Sequence, residues 1–278
     1  MSGQIRLLLA DVDGTLVTQD KVLTEASRKA ARSLAEAGVL LAITSGRPPR
    51  GMEMLVEPLA LTAPLAGFNG GVLVTPALAV IESHPLEASA ARRALALIEE
   101  AGLDAWVYTP GDWLVRNKSA PHVAREAWTV KFPAKVVKTF DEAALDAAIK
   151  IVGVSDDLAR VAACEKAAGR ALGKSASAAR SQPYYLDVTS AKANKGDVVR
   201  TLSHRLGVPM TQIATIGDQP NDTLMFAVGG YSIAMGNASD EVKARADEVT
   251  ASNEDEGFAK AVERFILPRA KAAEGKNR

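Results

Sequence analysis

Apolar and polar positions fall into repeating blocks along this chain. The run Leu7-Leu8-Leu9-Ala10 ends abruptly at Asp11-Val12-Asp13-Gly14. Continuous apolar runs of this length mark strands buried on both faces, so this one predicts a strand that delivers two carboxylates at its carboxyl end. Ala30, Ala31, Leu34, Ala35 and Ala37 then recur at helical spacing behind two alternative caps, Thr24 and Ser27, and Gly38 closes the run. A second apolar run, Val39-Leu40-Leu41-Ala42-Ile43, ends in Thr44-Ser45-Gly46-Arg47-Pro48. Strand, helix and strand make a βαβ unit, whose crossover is right-handed. The pattern repeats more loosely with a helix over Met52–Leu59 and a strand near Pro64–Phe68. There Asn69-Gly70 signals a hairpin turn and Gly71–Val74 the returning strand.

From about Leu86 to Leu186 the pattern changes. We expect a helix over Ala88–Ala101, a hairpin of Ala105–Thr109 and Asp112–Arg116 about Pro110-Gly111, and a strand over Ala134–Lys138. A helix (Asp141–Lys150), a strand (Ile151–Val154), a second helix (Asp156–Leu172) and a hairpin closing in Tyr184–Val188 follow. The first pattern then resumes. Lys195-Gly196 opens a helix with Val198, Val199, Leu202 and Leu206 on one face, and Ile213–Ile216 is a buried strand ending in Gly217-Asp218-Gln219-Pro220-Asn221-Asp222. Tyr231–Gly236 repeats the arrangement without an acid, and a last helix over Gly257–Leu267 should stop at Pro268 before a frayed tail. The blocks predict an α/β fold: a Rossmann-like parallel-sheet core over 1–84 and 188–278, interrupted by an inserted α+β cap over 85–187.

Composition narrows the function. The chain has 278 residues, 47% hydrophobic and 24% charged, as ordinary globular proteins do. Lys+Arg and Asp+Glu balance at 33 each, which argues against a protein whose main work is holding nucleic acid or an anionic membrane. The single Cys164 allows no internal disulfide and no thiolate zinc site, and it falls in a helical pattern as a packed side chain. No signal-type segment opens the chain and no apolar run reaches the ~18 residues that span a bilayer. The expectation is a cytoplasmic protein, with oligomeric state left open.

Four strand ends bring forward Asp11 with Asp13, Ser45 with Arg47, Asn69, and Asp218 with Asn221 and Asp222, while Lys195 heads a helix. In α/β folds such ends share one crevice. Carboxylates converging there repel one another unless a cation is present, and an all-oxygen ligand set points to Mg²⁺ rather than zinc. Carboxylates, a lysine, a hydroxyl and magnesium suit phosphoryl transfer, in which an aspartate can attack phosphorus. Asp-x-Asp-Gly also occurs in calcium loops and plain turns, though an EF-hand needs further oxygen ligands between two helices. For Asn69 turn chemistry alone is a sufficient account. Lys192 reads as a solvated loop lysine, and Trp106 and Trp113 as packed cap residues.

In order along the chain, Asp11-Val12-Asp13-Gly14-Thr15, Thr44-Ser45-Gly46-Arg47, Lys195-Gly196 and Gly217-Asp218-Gln219-Pro220-Asn221-Asp222 resemble the four motifs of the haloacid dehalogenase (HAD) phosphohydrolase superfamily. The closer resemblance is to its Cof-like subfamily, subclass IIB, and it includes Asn69-Gly70-Gly71 and Ala234-Met235-Gly236-Asn237-Ala238. The resemblance implies a Mg²⁺-dependent phosphatase of small phosphorylated metabolites, sugar phosphates first among them. Asp11 would be the nucleophile and a metal ligand. Asp13 would move protons and offer its backbone carbonyl to the metal, and Asp218 with Asp222 would complete or support the metal site. Ser45 and Lys195 would hold the phosphoryl oxygens, with Gly46, Arg47, Asn69 and Asn221 toward substrate. A phosphomutase using the same aspartyl phosphate, or a low-turnover ligand sensor, are the competing readings. Substrate choice would lie with the cap, with the loops about Pro110–Asp112 and Ala176–Gln182 as candidate contacts.

Overall fold

A computed structural model describes residues 4–270. In chain order the strands are β1 (Leu7–Asp11), β2 (Leu40–Thr44), β3 (Leu65–Gly67), β4 (Val72–Val74), β5 (Val80–Ser83), β6 (Asp104–Tyr108) and β7 (Trp113–Val115). They continue with β8 (Lys135–Val136), β9 (Lys150–Val154), β10 (Ala176–Gln182), β11 (Tyr185–Ser190), β12 (Ile213–Gly217), β13 (Tyr231–Ala234) and β14 (Glu248–Val249). They form two sheets, ordered β14-β13-β12-β1-β2-β3-β4-β5 and β10-β11-β9-β6-β7-β8.

In the first sheet the strands from β14 to β3 run parallel. All five residues of β1 and of β12 are buried, as expected of strands covered on both faces. The helix Glu25–Glu36 crosses from β1 to β2. Thr24 caps it by accepting from the Ser27 amide, and Ala30, Ala31 and Leu34 bury its inner face. The chain goes from β1 to β2 on one side and later fills β12 on the other. Order therefore reverses between β1 and β12, where open α/β sheets place their crevice.

The second sheet is antiparallel except for β7 with β8. Period-two alternation divides its two faces. Ala105, Val107, Ile151, Leu186 and Val188 pack under the helices Ala88–Glu100 and Leu158–Leu172, with Cys164 buried among them. Trp106, Tyr108, Trp113 and Tyr185 point the other way, into one core with Met52 and Phe68 of the first sheet's carboxyl side.

Several expectations shift. The last helical stretch continues past Pro268 to Ala270. A π-helical turn over Val262–Ile266 moves the ladder so that the Leu267 amide reaches the Val262 carbonyl, which makes room for a ring that lacks an N–H. Strand β11 stays in the second sheet as far as Ser190, beyond the boundary expected at Asp187, because Thr189 still pairs with Lys150. The helix expected over Met52–Leu59 is a 3₁₀ turn, Pro49–Met52, and one α turn, Glu53–Val56. Ala176–Gln182 is an edge strand, largely exposed, rather than a loop. Strand β5 carried no alternation clear enough to be read. The expected frayed tail lies outside the described residues.

Candidate active site

Asp11 closes β1, and the chain then turns sharply. The amides of Leu16 and Val17 both fold back onto the Val12 carbonyl, at 3.0 and 3.2 Å. Gly14 sits at the apex with φ +84°, and a Cβ there would lie 2.5 Å from Asp218 Oδ2. Only glycine meets both conditions without strain. The turn sends the two acids into separate surroundings.

On one side, buried Lys195 reaches Asp11 Oδ1 at 2.6 Å and Asp222 Oδ1 at 2.5 Å. It is the first residue of the helix Lys195–Leu206, which Asn194 caps by accepting from the Asp197 amide at 2.9 Å. The other oxygen of Asp222 accepts from the Asp218 and Gln219 amides at 2.9 and 2.8 Å. That approach requires Gly217, since a Cβ there would come within 2.4 Å of Asp222. Asp218 Oδ2 accepts from the Gln219 side chain at 2.6 Å and from Asn237 Nδ2 at 3.2 Å.

One oxygen each from Asp11, Asp218 and Asp222 lies within 4.8 Å of the others. Three carboxylates crowd one ammonium in a buried place, and the charged forms of Asp11 and Asp218 are disfavoured there. Burial raises Asp218 to about 6, with help from the charges of Asp222 and Asp13 and against the Gln219 bond and Lys195. Burial also raises Asp11 well above the usual range, opposed by Lys195 and reinforced by Asp222 and Asp218. Lys195 is raised too, its burial outweighed by the two aspartates it bridges. The donors are hard oxygens and negative charge is in excess, so the set fits a divalent cation. Lys195 and two main-chain amides engage both Asp222 oxygens, side chains of Thr15, Gln219 and Asn237 reach both Asp218 oxygens, and Lys195 engages Asp11 at Oδ1.

Asp13 faces different company. Arg47 grips it with Nε and Nη2 at 2.7 and 2.6 Å, and Lys21 Nζ stands 2.8 Å away. Burial would raise this carboxyl, but the Arg47 bonds and charge, with Lys21, hold it down at about 2. Ser45 Oγ accepts from the Arg47 amide at 3.1 Å and lies 3.5 Å from Asp13 Oδ2. Its neighbour Thr44 buries its hydroxyl without a partner, so of the two only Ser45 reaches the crevice. Asn69, at φ +56°, accepts from Asn221 Nδ2 at 3.1 Å and lies beside Gly46, while Asn221 Oδ1 is buried and unpartnered. Arg47 thus meets Asp13 and, through Nη1, the Gly51 carbonyl at 3.2 Å. Lys192 is exposed.

Every sequence-derived site residue falls at this crevice or its rim. Four more residues join them. Thr15, Gln219 and Asn237 bind the Asp218 carboxylate, and Lys21 binds Asp13. Asn237 follows β13 at the same sheet edge as the acids, so its position was readable from the strand-then-polar pattern. Lys21 sits in the excursion after Val17 at φ +62°, and no local pattern marks it.

Comparison with known proteins points the same way. The haloacid dehalogenase-like hydrolase family matches residues 8–262. The chain belongs to that family. Among its relatives, the 5-amino-6-(5-phospho-D-ribitylamino)uracil phosphatase YcsE of Bacillus subtilis is 27% identical over 95% of this chain and 96% of its own. The pyridoxal phosphate phosphatase YbhA of Escherichia coli is 28% identical over 94% and 99%. A haloacid dehalogenase-like hydrolase from Bacteroides thetaiotaomicron superposes with a TM-score of 0.86 at 25% identity, covering 94% of this chain and 99% of that one. The subclass IIB sugar phosphatase BT4131 shares the fold at a TM-score of 0.79 and 21% identity, over 94% and 99%. This HAD-type hydrolase carries the residues of all four motifs together at one sheet edge. Among the described residues no helix is long and apolar enough to cross a membrane.

Proposed function

We propose that this protein is a Mg²⁺-dependent phosphatase of small phosphorylated metabolites, sugar phosphates foremost, working through a phosphoryl group carried on Asp11. The observation that carries the reading is the unequal pair: Asp11 beside Lys195 and two further aspartates, Asp13 apart from them under Arg47 and Lys21. Asp11 and Asp218, with the Asp13 main-chain carbonyl that the family resemblance implies, would hold Mg²⁺, which when bound offsets charge on the phosphoryl group. Asp222 acts through others, keeping Lys195 and the Asp218 amide in place.

Asp11 attacks phosphorus and the ester oxygen departs. A sugar alkoxide is a poor leaving group, so Asp13 protonates it as the bond breaks. Water then attacks the aspartyl phosphate and gives its proton to Asp13, which restores both acids. Lys195 and Ser45 hold phosphoryl oxygens through each displacement. For this cycle Asp13 must leave Arg47. A phosphate dianion offers the guanidinium an equally good bidentate partner, so arrival of substrate draws Arg47 away and frees Asp13 to take up a proton. Asn69, Gly46 and Asn221 line the side where the ester oxygen lies, and the unpartnered Asn221 Oδ1 favours a donor there.

Phosphate release from a panel of phosphate monoesters, with and without Mg²⁺, tests the reading. We expect Mg²⁺-dependent release that Asp11→Asn reduces by about a thousandfold or more. No Mg²⁺-dependent release from any ester, or equal rates for wild type and Asp11→Asn, would refute it.

A further inference from the structure

The chain from Val17 to Thr24 forms a short strap beside the crevice, in a costly conformation. The Thr18 amide reaches the Val22 carbonyl at 3.0 Å, and the Val22 amide reaches the Thr18 hydroxyl at 3.2 Å. Lys21 stands at the bend with φ +62°, in the left-handed region where turns favour glycine or asparagine. Strain of this kind persists only where the surroundings hold it. Exposure is inverted as well. Apolar Val22 is 54% exposed, while the Lys21 side chain, 19% exposed, turns inward and sets Nζ 2.8 Å from Asp13 Oδ1. Lysines ordinarily keep their charge in water. One loop holds the strap at three points. The buried Asn253 side chain donates to the Val17 carbonyl at 3.0 Å, Glu254 Oε1 accepts from the Gln19 amide at 2.7 Å, and Glu256 Oε2 accepts from the Thr24 hydroxyl at 2.6 Å. The Asn253 amide donates to Asn237 Oδ1 at 3.1 Å, and Asn237 Nδ2 to the Gly14 carbonyl at 2.9 Å. Strap and Asp13 turn thus share one frame, to which Arg47, arriving from the end of β2, does not belong.

We propose that Lys21 is a positioning residue for Asp13, holding Oδ1 so that Oδ2 faces the reacting oxygen once Arg47 has passed to the phosphoryl group. The inference rests on the phosphatase reading above and adds a residue to it. The two cations on Asp13 differ in reach. The Arg47 guanidinium spans both oxygens, Nη2 on Oδ1 at 2.6 Å and Nε on Oδ2 at 2.7 Å, and its planar fork matches a phosphate equally well. Lys21 pairs through Oδ1. Among the described residues no third cation pairs with Asp13. When Arg47 departs, Lys21 is therefore the charge that fixes the carboxyl. Oδ2 is the oxygen uncovered, with Ser45 Oγ 3.5 Å from it. An ammonium donates and does not accept, so exchange with the ester oxygen, and then with water, goes through Oδ2. Without Lys21 the carboxyl turns about its own side chain, and a misdirected base costs rate in the step that needs it.

The test follows p-nitrophenolate release from p-nitrophenyl phosphate, with Mg²⁺ present, in wild type, Lys21→Met and Lys21→Arg. Transfer of the phosphoryl group to Asp11 needs no proton with this ester, whereas hydrolysis of the aspartyl phosphate needs Asp13. In Lys21→Met we expect kcat about tenfold below wild type, the worth of one hydrogen bond to a charged group, with kcat/KM within about twofold. A rapid burst approaching one p-nitrophenolate per enzyme should precede the slow steady state. Lys21→Arg keeps the charge and should recover kcat to within about threefold of wild type. A strap that only supported the fold would lower kcat and kcat/KM together, without a burst. Thermal melting verifies that the variants fold, and Lys21→Ala carries the test if Lys21→Met does not. A Lys21→Met kcat within about twofold of wild type, kcat and kcat/KM falling together, or Lys21→Arg no faster than Lys21→Met overturns the inference. Absence of Asp11-dependent hydrolysis in wild type overturns the phosphatase reading itself, and the inference with it.

Discussion

Two aspartates one residue apart come to differ because their partners differ. Asp218 and Asp11 sit where burial and neighbouring carboxylates favour the protonated form, and Asp13 sits where two cations favour the charged form. The signs have consequences for stability. A carboxyl raised to about 6 in the folded state contributes stability below its unfolded value, and loses it as pH rises through 6. Without divalent cation, lowering the pH from about 7.5 to about 5 should raise Tm, with Asp218 supplying about 1.4 kcal/mol over the one pH unit below its folded value. Asp13 adds nothing in that window, because its contribution is lost only as pH falls through about 2. Mg²⁺ binds the ionised carboxylates, so it should raise Tm strongly at about pH 7.5 and little at about pH 5. Differential scanning calorimetry at both pH values reads this out, and a cation effect equal at both would contradict it.

Among the elements, the helix Lys195–Leu206 bears most directly on the site, because its first residue bridges two carboxylates. Asn194→Ala removes the cap from that end. It should cost about 1 kcal/mol and lower Tm by a few degrees. Phosphate release should fall severalfold, since the first turn that aims Lys195 would fray. Parallel measurement of melting and kcat checks both. This helix was legible in the sequence, as were the strands that carry the acids, because each is an apolar run closed by a glycine or a carboxylate. What the sequence hid depends on contacts distant along the chain. Thr15 binds Asp218 across the sheet edge, and Arg47 and Lys21 both turn toward Asp13, contacts that no local pattern announces. Pro268 misled for the opposite reason: a local rule gave way to a π-helical turn.

At the scale of the whole molecule, the two sheets meet across the crevice, and the meeting is close. A Cβ on Gly51 would lie 3.1 Å from the Val130 carbonyl of the helix Val123–Val130. Gly51→Val should therefore wedge the second sheet outward and admit water, lowering kcat/KM for a sugar phosphate about tenfold or more. It should leave Mg²⁺ affinity near that of wild type, because no metal-site residue moves. Steady-state kinetics beside calorimetric titration of Mg²⁺ separates the two effects. The central claim is the division of labour between Asp11 and Asp13, and acid-quench peptide mass spectrometry tests it most directly. The Asp13→Asn enzyme is mixed with p-nitrophenyl phosphate, whose leaving group needs no proton. The account predicts that the phosphoryl group accumulates on Asp11, because water no longer finds its base. Turnover with no phosphoryl group on Asp11 in Asp13→Asn or wild type, or a phosphoryl group on another residue, would contradict it.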